Sequence, residues 1–174
     1  TIRLCHEFGA PMTFRAAGTS LSGQAVSDSV LIVATHGWKK QEVSIDKSSI
    51  KLQPGVIGQA ANNYLKSYGK KIGPDPASID SAMIGGIFAN NASGMCCGTK
   101  DNSYQTVKDV RLVMYDGTTL DTSDVQSVTA FKEIHKKLIR EVEVIRDEIG
   151  ADKVLFDRIK NKFKIKNTTG YSLN

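Results

Sequence analysis

A run of small residues near the start of the chain has the side chains and spacing best suited to binding chemistry. It reads Phe14-Arg15-Ala16-Ala17-Gly18-Thr19-Ser20-Leu21-Ser22-Gly23-Gln24-Ala25 and includes two glycines and three hydroxyls. Small side chains let the main chain turn tightly and let a ligand approach it, so successive backbone N–H groups can surround an anion. Phosphates are the anions that such a concavity favours. We therefore expect residues 16–23 to form an anion-binding loop, and a plain surface turn is the alternative.

Two common phosphate-binding signatures do not match this loop. Gly18 and Gly23 have the spacing of a Walker A loop, but Gln24 and Ala25 stand where Lys and Ser or Thr are required. A dinucleotide fingerprint needs a glycine at residue 16, which is Ala. Arg15 can neutralise a phosphate or tie backbone carbonyls at a strand end, and the sequence does not decide between these roles.

A second segment has a similar composition and lies far along the chain. Its polar and small residues are Pro74, Asp75, Pro76 and Ser78, then Ile84, Gly85 and Gly86, then Asn90 and Asn91. The two asparagines offer side-chain amides that can pair with polar ring edges or hydroxyls. Two such segments in one domain suit a long polar ligand laid along the backbone, and we expect both to contact it.

The hydrophobic patterns predict an α+β fold. Residues 12–15 and 30–35 are expected to form strands of a small parallel layer, the second covered on both faces because it is continuously apolar. Alternating residues predict antiparallel hairpins over 42–53 and 110–121, the latter with a favoured Asp-Gly turn. Apolar residues spaced three and four apart predict helices over 1–8, 56–68, 81–92, 128–150 and 154–163.

These elements group into two predicted subdomains. Residues 1–36 would form part of a first α/β subdomain that carries the anion loop and is incomplete at its N-terminus. Residues 37–174 would form a second α+β subdomain, a largely antiparallel sheet flanked by helices, with a helical hairpin inserted near 127–164. Because residue 1 is Thr and the chain ends at Asn174 without a polar tail, we expect a fragment of a larger protein.

The composition is that of an ordinary globular domain. Hydrophobic residues make up 40% and charged residues 24% of the 174 residues. No apolar run approaches the roughly 20 residues that span a bilayer. Three cysteines, Cys5, Cys96 and Cys97, form no disulfide framework and favour a reducing, cytoplasmic location. The basic residues of the last helices alternate with acidic ones, which favours a solvated face, so we expect no nucleic-acid partner.

The anion loop, the Pro54-Gly55 pair, the turn over 74–78 and the Gly85-Gly86 pair occur in an order and spacing that resemble a known domain. This is the PCMH-type FAD-binding domain of the vanillyl-alcohol-oxidase superfamily. The FAD-linked oxidases of the D-lactate dehydrogenase and glycolate oxidase subunit type are the most similar branch. Residues 91–99, which include Cys96 and Cys97, and the closing residues 166–174 are similar to a branch fused to an iron–sulfur region. An iron–sulfur site needs about four thiolates, so this chain would not hold one by itself.

The resemblance implies FAD as cofactor. Residues 16–20 would contact its pyrophosphate, mainly through backbone N–H groups, with Ser22 and Gly23 completing the bend and the second segment lying further along the cofactor. Some superfamily members attach the flavin covalently through a histidine just after the loop glycine. That position is Thr19 here, which implies non-covalent FAD.

The same resemblance implies that the intact protein oxidises a 2-hydroxy acid, such as D-lactate or glycolate, to a 2-oxo acid. The substrate would sit against a C-terminal domain that this chain lacks, so the chain alone is expected to bind FAD without turnover, and no residue of it is assigned a catalytic role. One alternative is a reductase of the UDP-N-acetylenolpyruvoylglucosamine type, which shares this domain. The other is a non-enzymatic module that binds anions or nucleic acid.

Overall fold

The computed structural model describes residues 1–94 and 98–165. Cys96, Cys97 and the closing residues 166–174, which carry much of the similarity to the iron–sulfur branch, lie outside the described residues. The chain divides into two compact units, and the first comprises nearly all of residues 1–106. The second is described from residue 107 to residue 165. The subdomain boundary expected between residues 36 and 37 stays a prediction.

The first unit begins with one helix and one parallel strand pair. Helix α1 (Ile2–Glu7) is followed by Gly9, whose φ of 60° reverses the chain toward strand β1 (Met12–Arg15). Strand β2 (Val30–Val33) pairs with β1 in parallel, from Met12 opposite Val30 to Arg15 opposite Val33. The parallel pair is therefore confirmed. The expectation that the second strand is covered on both faces is wrong, because alternate residues Leu31 and Val33 are exposed.

An antiparallel hairpin and a helix follow within the same unit. Strands β3 (Gln41–Val43) and β4 (Ile50–Leu52) pair antiparallel, as the alternating pattern predicts. Helix α2 (Gly58–Leu65) is shorter than predicted and continues into a 3-10 turn over Lys66–Tyr68. Gly69 ends this turn in the left-handed region, with a φ of 65°.

The packed core of the first unit lies around a short helix in the second glycine-rich segment. Helix α3 (Ile84–Ala89) buries Ile87 against Ala82 and Ala92, and Ile79 and Ile84 pack onto this cluster. Helix α4 (Ser103–Thr106) adds a buried hydroxyl, because Ser103 Oγ lies 3.0 Å from the Ile87 carbonyl oxygen and 3.1 Å from that of Ala92. The single hydroxyl proton is shared between two carbonyls that already accept hydrogen bonds, Ile87 O from the Ala92 N–H at 2.8 Å and Ala92 O from the Ser103 N–H at 3.1 Å.

The described part of the second unit, residues 107–165, contains one hairpin and three helices. Strands β5 (Arg111–Val113) and β6 (Thr119–Asp121) form the predicted antiparallel pair around the Asp-Gly turn, where Gly117 has a φ of 82°. The helices are α5 (Val125–Ile134), α6 (Lys136–Ala151) and α7 (Lys153–Lys162).

The single long helix predicted over 128–150 is wrong. The chain leaves helical geometry at His135, with φ −105° and ψ 33°, and α6 starts afresh after it. His135 is buried, and its Nε2 lies 2.7 Å from Thr118 Oγ1 and 3.7 Å from Asp116 Oδ2. This anchoring of the side chain to the β5–β6 turn accounts for the break.

The described elements form a mixed α+β arrangement with one parallel and two antiparallel strand pairs, in agreement with the predicted fold class. Among residues 1–94 and 98–165, no helix is both long enough and apolar enough to cross a membrane.

Candidate cofactor site

The first predicted segment leaves strand β1 and forms an open loop. The carbonyl of Arg15 still accepts a hydrogen bond from the Ala34 N–H at 2.7 Å, which holds the loop to the end of β2. Gly18 and Gly23 then take φ values of 70° and 75°. Other residues adopt this left-handed conformation only with strain, so glycine suits both positions.

The backbone N–H groups of this loop are left available for a ligand. Among the described residues, none of the N–H groups of residues 16–24 donates a hydrogen bond within the protein. The loop is held internally by contact between Ser20 Oγ and Gln24 Oε1, and by the Val26 N–H to the Gly23 carbonyl at 3.2 Å. Leu21 is fully exposed. The loop therefore presents a row of uncommitted donors, which is what an anionic ligand requires.

The start of the second segment is more enclosed. Pro74 is buried, and Asp75, Pro76 and Ser78 are half-buried. The Pro76 carbonyl accepts a hydrogen bond from Ile79 N–H at 2.9 Å, which closes the turn. The half-buried residues of this turn can still contact a ligand, but the Pro76 carbonyl already accepts a hydrogen bond within the protein.

The residues at the start of α3 differ in what they can offer. The N–H of Ile84 donates to Val56 O at 2.8 Å, and that of Gly85 donates to Pro54 O at 2.9 Å. A Cβ atom built on Gly85 would lie 2.8 Å from Pro54 Cβ, so glycine here permits close packing. Gly86 is exposed, and a Cβ atom built on it would meet no atom within 4 Å. Of these three residues, Gly86 is the one with an open side.

The two asparagines differ in how much of the side-chain amide is free to bind a ligand. Asn91 has a φ of 43°, and its Oδ1 accepts a hydrogen bond from the Tyr104 N–H at 3.0 Å. That bond commits one half of the Asn91 amide to the fold. Asn90 is exposed, and among the described residues its side chain makes no hydrogen bond. Asn90 is thus the asparagine whose whole amide can reach a ligand.

The two segments are linked through the Pro54-Gly55 pair and make no direct hydrogen bond to each other among the described residues. Gly55 is buried, and its N–H donates to Trp38 O at 2.9 Å. A Cβ atom at Gly55 would overlap the Gly37 carbonyl oxygen and lie 3.3 Å from that of Ala34. Contacts therefore run from Arg15 through Ala34 and Gly55 to Pro54 and Gly85. The sequence indicated Pro54-Gly55 by resemblance but gave it no place in the site.

Gly94 is a further positioning residue that sequence reasoning missed. It is buried, and a Cβ atom built on it would overlap the carbonyl oxygen of Asp75. Gly94 thereby lets the 74–78 turn pack against the chain that follows α3. Its place in an Asn-Ala-Ser-Gly run marks a small-residue stretch, but composition does not reveal which partner needs the space.

Two carboxyl groups of the second unit have clearly lowered pKa values. Hydrogen bonds from Ser123 and Arg111 lower the pKa of Asp121 to about 2. Hydrogen bonds from the Thr118 backbone and hydroxyl, with a smaller effect of His135, lower the pKa of Asp116. Such carboxylates stabilise turns in their charged form and are not poised to donate a proton near neutral pH. Among the described residues, no group of three or more His, Cys, Asp or Glu side chains could hold a metal ion.

Comparison with known proteins identifies the cofactor. A family described as the FAD binding domain matches residues 1–123, which include both segments and the chain that links them. The chain belongs to the FAD-binding domain family. The cofactor expected from the resemblance, FAD, is therefore confirmed, and the Gly-rich segments lie inside a FAD-binding domain.

This FAD-binding domain is similar to parts of larger dehydrogenases. It is 24% identical over 168 residues to D-2-hydroxyglutarate dehydrogenase of Haemophilus influenzae, a match of 89% of this chain and 16% of that protein. It is 30% identical over 130 residues to the mitochondrial D-lactate dehydrogenase [cytochrome] 1 of Saccharomyces cerevisiae, which covers 70% of this chain and 21% of the relative. The domain thus spans about a fifth or less of the length of these curated relatives.

Solved structures support the fold. Alkyldihydroxyacetonephosphate synthase superposes on 74% of this chain and 25% of its own, with a TM-score of 0.58 and 20% sequence identity. At this identity the likeness shows the fold alone, and it confirms the expected architecture.

The residues of the first loop fit FAD. The cofactor carries a dianionic pyrophosphate between two larger groups, and the loop offers uncommitted N–H donors between two left-handed glycines. The side chains between those glycines are small or exposed, so they leave the backbone approachable.

Proposed function

We propose that this chain is the FAD-binding domain of a flavin-dependent oxidoreductase that oxidises a 2-hydroxy acid to the corresponding 2-oxo acid. Family membership supports the cofactor, and two relatives are named for D-2-hydroxyglutarate and D-lactate. The D-lactate- or glycolate-like class expected from the sequence agrees with these names, and D-2-hydroxyglutarate extends it.

The observation that carries the cofactor assignment is the row of uncommitted N–H groups over residues 16–24. In the proposed complex, residues 16–20 bind the pyrophosphate through the backbone and Ser22 and Gly23 complete the bend. Each hydrogen bond to a charged group contributes about 1.5–3 kcal/mol, so a few such donors suffice to hold the dianion. Leu21, whose side chain is exposed, is included in this proposed contact as part of the same loop.

The second segment is proposed to lie along the rest of the cofactor. Gly86 and Asn90 offer the open backbone and the uncommitted amide described above. Asp75, Pro76 and Ser78 offer partly exposed edges. The remaining residues of the segment are proposed to shape this surface, because they are buried or already hydrogen-bonded within the protein: Pro74, Ile84, Gly85 and Asn91.

FAD supplies the redox chemistry when it is bound, and this chain binds it, orients it and shields it from competing reactions. Thr19 stands where a covalent attachment would need histidine, so we infer non-covalent binding. We assign no catalytic residue to this chain. The hydroxy-acid substrate would be held by a further domain of the intact protein, and an iron–sulfur region is proposed as a partner. We propose a cytoplasmic location from the cysteine content.

The two alternatives are less well supported. The reductase of the UDP-N-acetylenolpyruvoylglucosamine type is not favoured, because the relatives described above are hydroxy-acid dehydrogenases. A nucleic-acid-binding module would rely on the basic helices α6 and α7. Several basic side chains of α6 are paired with carboxylates, for example Lys137 with Glu141 and Arg140 with Glu143. Such pairing reduces the positive field available to a polyanion.

The test uses the full-length protein that contains this chain. We expect it to purify with FAD that is released by denaturation, since the bond is non-covalent. Anaerobic addition of D-2-hydroxyglutarate, D-lactate or glycolate in turn should bleach the flavin absorbance with at least one of them. Absence of FAD from a folded preparation would contradict the cofactor assignment. Retention of FAD that none of the hydroxy acids reduces, but that NADPH reduces, would support the reductase instead.

A further inference from the structure

The side chain of Arg15 lies over the first loop. Its guanidinium lies close to Gly18, which follows Arg15 by three residues in the sequence. A Cβ atom built on Gly18 would lie 3.0 Å from Nη2, 3.1 Å from Nε and 3.2 Å from Cζ of Arg15. These distances show that the Arg15 guanidinium lies next to Gly18, in the space that a side chain at Gly18 would enter. Gly18 therefore leaves space for the Arg15 guanidinium and also adopts the left-handed backbone conformation of the turn.

The charge of Arg15 is not used within the described part of the protein. Among residues 1–94 and 98–165, the six ion pairs involve other cations, and no hydrogen bond engages the Arg15 guanidinium. The side chain is exposed. The alternative role considered from the sequence, a tie to backbone carbonyls at the end of β1, is thus absent from the described contacts.

We propose that Arg15 is the cationic partner of the FAD pyrophosphate, and that Gly18 lacks a side chain so that this guanidinium can lie beside the loop's N–H groups. The inference rests on the proposed function and adds a charged side chain to a site otherwise built from backbone. A guanidinium presents five donors in a fixed plane and forms bidentate pairs with phosphate oxygens. Held against Gly18, it adds its positive charge beside the row of donors over residues 16–24.

The first test compares FAD with riboflavin, which has the same ring and ribityl chain but no phosphate. Flavin-stripped full-length protein is titrated with each ligand, using quenching of flavin fluorescence. Arg15→Gln, which removes the charge and keeps a polar side chain, should weaken FAD binding about 10- to 100-fold, the loss expected for a hydrogen-bonded charge. It should leave riboflavin binding unchanged. The matched control is Arg158→Gln, an exposed arginine on α7, which should leave FAD binding unchanged.

Two further measurements separate charge from shape. Arg15→Lys should recover part of the lost affinity, because a lysine supplies the charge without the planar donor set. The salt dependence of FAD binding should become weaker in Arg15→Gln than in the parent protein, because one cation no longer contacts the dianion. Equal salt dependence and equal FAD affinity in Arg15→Gln would overturn the inference.

The link between Gly18 and Arg15 is tested by a double-mutant cycle. Gly18→Ala should weaken FAD binding in the parent protein through backbone strain and through displacement of the guanidinium. In an Arg15→Gln background only the strain remains, so the loss should be smaller. Gly9→Ala is the control for backbone strain, since Gly9 has a φ of 60° and nothing within 4 Å of an added Cβ atom. If the effects of the two loop substitutions on FAD binding were additive, Gly18 would not be needed to make room for the Arg15 guanidinium.

The outcomes distinguish this inference from the function on which it rests. A parent protein that binds no FAD contradicts the proposed function itself. A parent protein that binds FAD normally, with Arg15→Gln binding it equally well, contradicts the role of Arg15 alone. Circular dichroism of each variant shows whether it is folded, and Arg15→Lys provides a second reading if Arg15→Gln is not.

Discussion

The two glycine-rich segments of the first unit resemble each other in composition and differ in structure. The loop over residues 16–24 is open, and its N–H groups make no hydrogen bonds among the described residues. The segment over 74–94 surrounds the core cluster of Ala82, Ile87 and Ala92. The N–H groups of Ile84 and Gly85 donate hydrogen bonds to carbonyls of residues 54–56. Similar small residues thus serve an exposed binding surface in one place and close packing in the other.

This difference indicates a division of roles. Substitutions in the packed segment should change the stability of the first unit, because they open cavities or force backbone apart. Substitutions in the open loop should change cofactor binding with little effect on stability, because few contacts within the protein depend on it. Paired substitutions in the two segments of the flavin-stripped full-length protein test this division, because bound FAD would itself add to the free energy of unfolding.

The largest difference is expected from truncating one aliphatic side chain in each segment. Ile87 is 4% exposed and Leu21 is 102% exposed. Ile87→Ala should lower the free energy of unfolding by about 2–5 kcal/mol, because it removes buried methyl groups and leaves a cavity. Leu21→Ala should change it by less than about 0.5 kcal/mol. Urea unfolding measures both, and equal losses would show that the two segments do not differ in packing.

A smaller loss is expected from adding one methyl group at a packed glycine. Gly94→Ala places a Cβ atom on the Asp75 carbonyl oxygen, so the backbone has to shift. We expect a loss of about 1–3 kcal/mol in the same unfolding measurement. The control is Gly86→Ala in α3, where the added Cβ atom meets no atom within 4 Å. That variant should be as stable as the parent or more stable, since Ala favours a helix over Gly by about 1 kcal/mol. A reversed order of the two variants would contradict the assigned packing.

The smallest effect is expected from the buried hydroxyl at the edge of the packed segment. Ser103→Ala removes the hydrogen bonding of Ser103 Oγ to the carbonyls of Ile87 and Ala92. We expect a loss of about 1 kcal/mol. Ser81→Ala, which removes an exposed contact of 3.3 Å to the Ser78 carbonyl, should have no measurable effect. A Ser103→Ala protein of unchanged stability would show that these carbonyls do not depend on the hydroxyl.

Local patterns allowed much of the fold to be predicted from the sequence. Alternating residues gave both hairpins, and the Asp116-Gly117 pair gave the turn of the second. The break at His135 was missed because apolar residues continue at three- and four-residue spacing across it. The reason for the break is a contact with Thr118, which is distant in sequence. Likewise, the apolar composition of β2 gave no sign that Leu31 and Val33 lie on an exposed face.

The site was predictable as a set of segments but not as a set of contacts. Composition marks Gly18, Gly85 and Gly94 alike as small residues. Tertiary structure separates them, because Gly18 has a positive φ and lies under a guanidinium, whereas Gly85 and Gly94 allow close approach of Pro54 and Asp75. Which N–H groups are used within the protein also depends on partners that are remote in sequence, so sequence alone could not tell the open loop from the packed segment.

Amide hydrogen exchange of the flavin-stripped full-length protein, with and without saturating FAD, tests the central claim most directly. Without FAD, the amides of residues 17–23 should exchange without protection, whereas those of Gly85 and Ala92 should exchange slowly. With FAD, exchange at residues 17–20 should slow strongly, because their N–H groups then donate to the pyrophosphate. If FAD binds while these amides exchange at an unchanged rate, the loop does not bind the pyrophosphate and the account is contradicted.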